Sequence, residues 1–205
     1  NEFYIGYYTF IERFRSYQLY YILKSPFSPV FAVKGTANFR YQKSTFLSTN
    51  EFALKEPDLN EYWGGVKGEV IYDDTKEIGL NLMSGTRFKI FGEYTQVIGE
   101  SDKSMFVVGM DIRNYTKIHR SFIWANRLAA STSFGKNKLI YYMGGVDNWL
   151  SPKFLVSTPI DMSMNYAYQA TATNLRGFYQ NARNGNSFVV LNSELRFPVF
   201  RYLYN

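Results

Sequence analysis

Side chains in this chain alternate between apolar and polar with a period of two, over segments far longer than ordinary globular strands. That pattern restricts the fold to long, half-buried β-strands. In residues 30 to 42 the odd positions are Phe31, Val33, Gly35, Ala37, Phe39 and Tyr41, and the even ones are Ala32, Lys34, Thr36, Asn38, Arg40 and Gln42. Residues 61 to 74 set Tyr62, Val66, Val70 and Tyr72 against Lys67, Glu69 and Asp73. Residues 84 to 97 set Phe88, Ile90 and Tyr94 against Arg87, Lys89 and Glu93. Residues 119 to 134 set Phe122, Trp124, Leu128 and Phe134 against Ser121, Arg127, Ser131 and Ser133. Residues 187 to 199 set Val189, Leu191, Leu195, Phe197 and Val199 against Asn192, Glu194 and Arg196. The stretches 2 to 14, 16 to 24 and 104 to 116 follow the same pattern less cleanly, for eight expected strands.

A soluble sandwich and a membrane barrel both alternate, with opposite meaning. The sandwich buries its apolar face, whereas the barrel turns it to lipid and its polar face to the lumen. Length separates them: these segments run about 11 to 16 residues, against about 5–6 for typical globular strands. Tyr62 and Tyr72 also bracket one apolar face. Ten residues at ~3.3 Å, tilted by ~40°, cover roughly 25 Å, the height of the apolar band between aromatic girdles. The expected fold is therefore all-β, an antiparallel transmembrane β-barrel. Tyr62, Val66, Val70, Tyr72, Phe122, Trp124, Leu128, Leu195 and Phe197 are expected to face lipid, and Arg127 and Ser131 the lumen.

Composition agrees. Aromatic residues make up 19% of the 205, with 18 Tyr and 18 Phe, an excess that suits strands and interfacial belts. No run of 18 apolar residues exists, which excludes a transmembrane helix. Cysteine is absent, so disulfides and thiolate metal sites drop out. The formal charge of +6 is spread through the strands rather than gathered in a patch, which argues against nucleic acid. The opening NEFYIGYY has no secretory signal, and the closing FPVFRYLYN follows a strand with no closing element. Both ends are expected to be cut from a longer barrel.

Loop lengths suggest an orientation. The connections 14–16, 25–29, 99–103 and 116–119 are short, 47–60 and 75–83 are intermediate, and 136–186 is very long. Outer-membrane barrels have short periplasmic turns and longer external loops. With 136–186 outside, 47–60 and 99–103 are external, and 25–29, 75–83 and 116–119 periplasmic; 75–83 is long for that side.

The last third carries a more specific string, LRGFYQNARNGNSFVVLNSELRFPVF. It resembles the core signature of BamA-type assembly factors, the bacterial surface antigen superfamily of Gram-negative outer membranes. In that family a V/I/L-R-G-F/Y tetrad tips an external loop that folds into the lumen; here it is Leu175, Arg176, Gly177 and Phe178. The following strand opens at Gly185-Asn186 and carries Glu194, Arg196 and Pro198. Tyr72-Asp73-Asp74-Thr75 with Gly85-Thr86-Arg87 resembles a family hairpin, and Met143-Gly144-Gly145 the x-G-G before the tetrad. The resemblance implies strands 5 to 12 of a sixteen-strand barrel. It implies a non-enzymatic role in inserting, assembling or translocating proteins at the outer membrane. The implied partners are membrane lipid, client outer-membrane proteins, and periplasmic domains or lipoproteins of an assembly complex. The family's F-x-D-x-G strand and periplasmic POTRA repeats are absent. The loop's wording is closest to barrels associated with TolB-like propellers, and no propeller is present either.

The tetrad also makes physical sense on its own residues. Gly177 permits a tight reversal, Arg176 offers a planar charged fork, and Phe178 an apolar anchor. Glu194 lies on the polar face of the next strand and is the expected partner of Arg176, alongside the alternative of an acid beyond this chain. Enzyme chemistry is not suggested. His119 is the only histidine and is expected to open a strand at a turn, which with no cysteine leaves no multi-His or Cys/His site. Ser121 near His119 lacks an orienting third group, Asp73-Asp74 reads as a solvated turn, and the Asn/Gly stretch at 184–187 reads as a hairpin turn. No cofactor or metal is expected. The competing readings are a passive pore or receptor barrel, a barrel anchoring another domain, and a soluble lipocalin-like or sandwich protein.

Overall fold

The computed structural model describes residues 11–47, 57–146, 150–161, 163 and 166–198. Strand residues expected within 2–10 and at Val199, and most of the 47–60 connection, lie outside them. The described strands are β1 (Ile11–Pro26), β2 (Phe31–Leu47), β3 (Leu59–Asp73), β4 (Lys76–Gly79), β5 (Leu82–Val97), β6 (Glu100–His119), β7 (Phe122–Gly135), β8 (Lys138–Met143), β9 (Tyr166–Thr171), β10 (Arg183–Gly185) and β11 (Ser187–Arg196).

An eight-stranded antiparallel sheet runs in the order β1-β2-β3-β5-β6-β7-β11, with the short β4 paired off this path on β5. β1 and β11 are its edges and do not pair, so the sheet is open. Two expectations about the strand order need correction. The break at 14–16 does not exist: β1 runs straight through it, with Phe14 opposite Ser44 and Tyr17 opposite Tyr41. No Gly, Pro or Asn marks residues 14 to 16, and a long β2 offers hydrogen-bond partners throughout. The eighth strand is instead β4, hidden in the overlong 75–83 connection, which folds back as a hairpin on β5.

The register puts the alternation to use. Phe31, Tyr72, Phe88, Ile112, Leu128 and Leu191 form one row across six strands. Odd residues of β3 and β7 share one face with even residues of β11, and the opposite parities share the other. All nine residues expected toward lipid fall on the same apolar face: Val66 is 61% exposed, Leu195 63% and Tyr62 49%, while Tyr72 and Leu128 are half-buried.

The 136–186 connection is structured. β8, β9 and β10 form a three-stranded sheet in the order β10-β8-β9, with β8 and β9 parallel. It lies on the polar face. Leu139 and Tyr141 of β8 join Trp63, Val97, Met105 and Val107 in one buried cluster, with Phe91 and Phe188 against it. At the other end of the face, Leu82 at the start of β5 packs on Tyr115, Ile123 and Ala125. The stretch at 184–187 is a crossover rather than a hairpin, since β10 pairs with β8 and β11 with β7. His119 closes β6 instead of opening a strand.

Candidate functional site: a loop docked on the charged face

β7 carries the seat of the loop. Its polar-face residues Ala129, Ser131 and Ser133 are small and buried, which lets β8 approach. Ser133 Oγ accepts a hydrogen bond from Leu139 N at 2.9 Å and donates to Leu139 O at 3.1 Å. Ser131 and the Tyr141 hydroxyl share a 2.7 Å hydrogen bond. Burial pushes the Tyr141 phenol above its ordinary pKa and the Ser131 hydrogen bond opposes this, so the group stays a neutral hydroxyl. Asn186 Nδ2 donates to Ser133 O at 3.0 Å and ties the return of the loop to the same strand. The alternation puts Ser131 and Ser133 on the polar face but does not by itself make them the loop's seat. Small residues in the middle of a polar face are the signal that could have found it.

The tetrad is pinned by backbone. Gly145 N donates to Phe178 O at 2.8 Å, Leu175 N donates to Gly145 O at 2.9 Å, and Ala182 N donates to Met143 O at 2.9 Å. Gly144, Gly145 and Gly177 all have positive φ, at 114°, 80° and 87°. A Cβ on Gly144 would land on the Tyr179 carbonyl oxygen, and one on Gly145 would meet the Gln180 side chain. The two glycine motifs, well separated in sequence, thus form one unit: Gly144-Gly145 is the groove into which the 175–180 turn fits.

Side chains hold the tip less firmly. Arg176 Nη1 lies 4.0 Å from Glu194 Oε1, and the Arg176 side chain is 80% exposed. Glu194 has a closer partner on its own strand, since Arg196 donates to Oε2 from Nε at 3.1 Å and Nη2 at 2.9 Å. The structure brings Arg176 and Glu194 together, but as a single long contact rather than a bidentate pair. Phe178 is 53% exposed. An exposed ion pair of this kind is worth about 0–1 kcal/mol. Arg176→Ala is therefore expected to leave stability within about 1 kcal/mol of the parent, as a denaturant titration will measure.

Charges on the polar face are arranged in groups. Glu69, with a side chain only 3% exposed, takes Lys34 at 2.6 Å, Lys89 at 3.8 Å and Lys67 at 3.9 Å. Glu61 takes Lys103 at 2.6 Å and the Trp63 indole N–H at 3.1 Å. Arg113 and Arg127 are direct cross-strand partners, a repulsive placement. Asp111 resolves it: Arg113 donates from Nε and Nη2 at 3.0 Å each, and Arg127 from Nε at 3.2 Å and Nη2 at 2.6 Å. Among the described residues no group of three or more His, Asp or Glu is placed to hold a metal.

Turn residues of the second motif also meet. Asp74 Oδ1 accepts from Thr86 N at 2.6 Å, and Asp73 Oδ1 accepts from Thr75 N and Oγ1 at 3.1 and 2.6 Å.

On the apolar face, aromatic residues gather at two levels. One level holds Tyr17 stacked on Tyr41, Tyr62 tilted against Tyr41, then Phe106 with Phe134. The other holds Tyr72 with Phe88, then Trp124, and Phe122 with Phe197. Tyr17, Tyr41 and Tyr62 share one row across β1, β2 and β3, and between β3 and β7 both levels shift by four residues. Phe134 lies in the row of Val66, four residues along β3 from Tyr62, and Trp124 lies four residues beyond the Tyr72 row in the same direction. Trp124 caps its level by donating its indole N–H to Ser193 Oγ at 2.8 Å.

Comparison with known proteins gives no match: no protein-family model, no curated protein and no solved structure matches this chain.

Proposed function

We propose that the chain is part of an outer-membrane β-barrel of the surface antigen type, with the apolar face in lipid and the polar face toward a lumen. In this reading it serves, without enzymatic activity, in insertion, assembly or translocation of proteins at the outer membrane, and 136–186 is an external loop folded inward. The observation that carries the membrane placement is the drift of the two aromatic levels. Four residues at ~3.3 Å, gained over three strand spacings of ~4.8 Å, correspond to a strand tilt of roughly 40°. A flat bilayer crossing tilted strands produces that drift on both levels at once. A water-facing sheet has no reason to keep two parallel aromatic lines, nor so many exposed apolar side chains between them. The assembly role rests on the tetrad and x-G-G strings, supported by their meeting in one docked unit.

Leu128 lies midway between Phe122 and Phe134 on β7, so Leu128→Arg should weaken folding into lipid vesicles by about 2–4 kcal/mol. An unchanged stability in vesicles would contradict lipid contact at that position. For the role itself, vesicles carrying the full-length protein should speed insertion of an unfolded outer-membrane client several-fold over empty vesicles. Ion conductance without that acceleration would identify a passive pore instead.

A further inference from the structure

Beneath the loop tip, a cleft of about 230 Å³ opens on the polar face between Val146, Asn174 and Arg176 of the loop and the β6, β7 and β11 wall. Four guanidinium groups line it, from Arg113, Arg127, Arg176 and Arg196. Among the described residues, the carboxylates paired with them are Asp111 and Glu194. Arginine stays charged in any protein setting, so the cleft carries an excess of about two positive charges. The acids are also already committed. Both Asp111 oxygens take the forks of Arg113 and Arg127, and Glu194 Oε2 takes the fork of Arg196. The Nη1 atoms of Arg113, Arg127 and Arg196 take no part in those forks, and among the described residues the ion pair of Arg176 is its 4.0 Å contact with Glu194.

Asn192 lines the cleft with a buried side-chain oxygen that has no hydrogen-bond partner. Surplus guanidinium donors converging on one cavity call for an oxyanion. A doubly charged one offsets the excess, where a carboxylate leaves half of it, and planar guanidinium forks match phosphate oxygens in pairs.

We propose that this cleft binds a water-borne phosphate group, held by Arg127, Arg176 and Arg196. The cleft is larger than bare phosphate, so the natural ligand is a phosphate ester with its substituent in the remaining space. It opens on the charged face, with the whole sheet between it and the apolar face, which separates it from a bilayer headgroup. The site stands on the polar face alone and does not depend on the outer face lying in lipid. Arg176 gains a second role in this way, because the ligand bridges the loop tip to β7 and β11 and strengthens a contact that is weak without it.

The test is calorimetric titration of inorganic phosphate into the full-length protein in detergent. One saturable site is expected, with affinity about tenfold or more lower in Arg176→Gln, because one charge-assisted hydrogen bond is lost. Arg176→Lys should recover only part of it, since a point charge cannot fork. Arg176 is exposed in a loop, so the variant folds, and Lys103→Gln on the distant Glu61 should bind phosphate like the parent. Absence of saturable heat, or equal affinity in Arg176→Gln, overturns the site. Displacement by equimolar acetate makes the ligand a carboxylate and overturns the phosphate assignment. Displacement by phosphatidylglycerol vesicles makes it a headgroup and overturns the water-borne source.

Discussion

Replacing Gly144 by alanine should release the loop tip and cost about 3 kcal/mol or more of its docking free energy, while the strands stay folded. Two effects add at this position. The backbone sits at φ 114°, where an L side chain is strained by about 1–3 kcal/mol. The added Cβ also collides with the Tyr179 carbonyl oxygen, which belongs to rigid backbone and has no rotamer to yield. Relief requires the 175–180 turn to move off the groove, breaking the hydrogen bonds from Gly145 N to Phe178 O and from Leu175 N to Gly145 O. Limited trypsin digestion reads this directly. Cleavage at Lys153, Arg176 and Arg183 should speed up many-fold in Gly144→Ala and little in Arg176→Gln beyond loss of its own site. Equal protection of the parent and Gly144→Ala would show that the glycine groove does not hold the tip.

Asp111→Asn should destabilise the sheet by about 3 kcal/mol or more. Arg113 and Arg127 face each other across β6 and β7, half-withdrawn from water, and one carboxylate holds both. An amide of the same shape removes the compensating charge and leaves the repulsion. It also replaces one accepting oxygen by a donor aimed at two donors. Removing one cation has a smaller effect: Arg127→Gln leaves a matched Asp111–Arg113 pair. The order of stabilities by denaturant titration should therefore be parent, then Arg127→Gln, then Asp111→Asn. The reverse order of the two variants would mean that Asp111 is not the keystone of the cluster.

The faces of the strands were legible because period two is imposed by the pleat itself: once Tyr62, Val66 and Val70 share a parity, their common side follows. Hydrophobic alternation does not mark where a strand ends when its neighbour is long, so a break at 14–16 and a continuous β1 look alike in sequence. β4 was missed because four residues are too few to show a period, and Lys76-Glu77-Ile78-Gly79 carries no strand signal beyond Ile78. The docked loop was legible chiefly through the resemblance carried by Met143-Gly144-Gly145 and the Leu175–Phe178 tetrad, with Gly177 alone read as a backbone reversal from its residue type. Its strength was misplaced. Sequence pairs Arg176 with Glu194 by charge, but cannot show that Arg196, two residues along the same face, reaches Glu194 first. The Asp111 fork depends on cross-strand register, which no single segment contains.

The central claim is that one face of this sheet meets lipid and the other water, and single-site spin labels along β3 test it most directly. The chain has no cysteine, so each label is unique without further changes. In vesicles, labels at Val66 and Val70 should be accessible to dissolved oxygen and shielded from a water-soluble nickel complex, deepest near Val66. A label at Lys67 should show the opposite. Alternation of that kind from Tyr62 to Tyr72 is the predicted result; uniform water access at Val66 and Val70, or a lipid-embedded Lys67, would contradict the account.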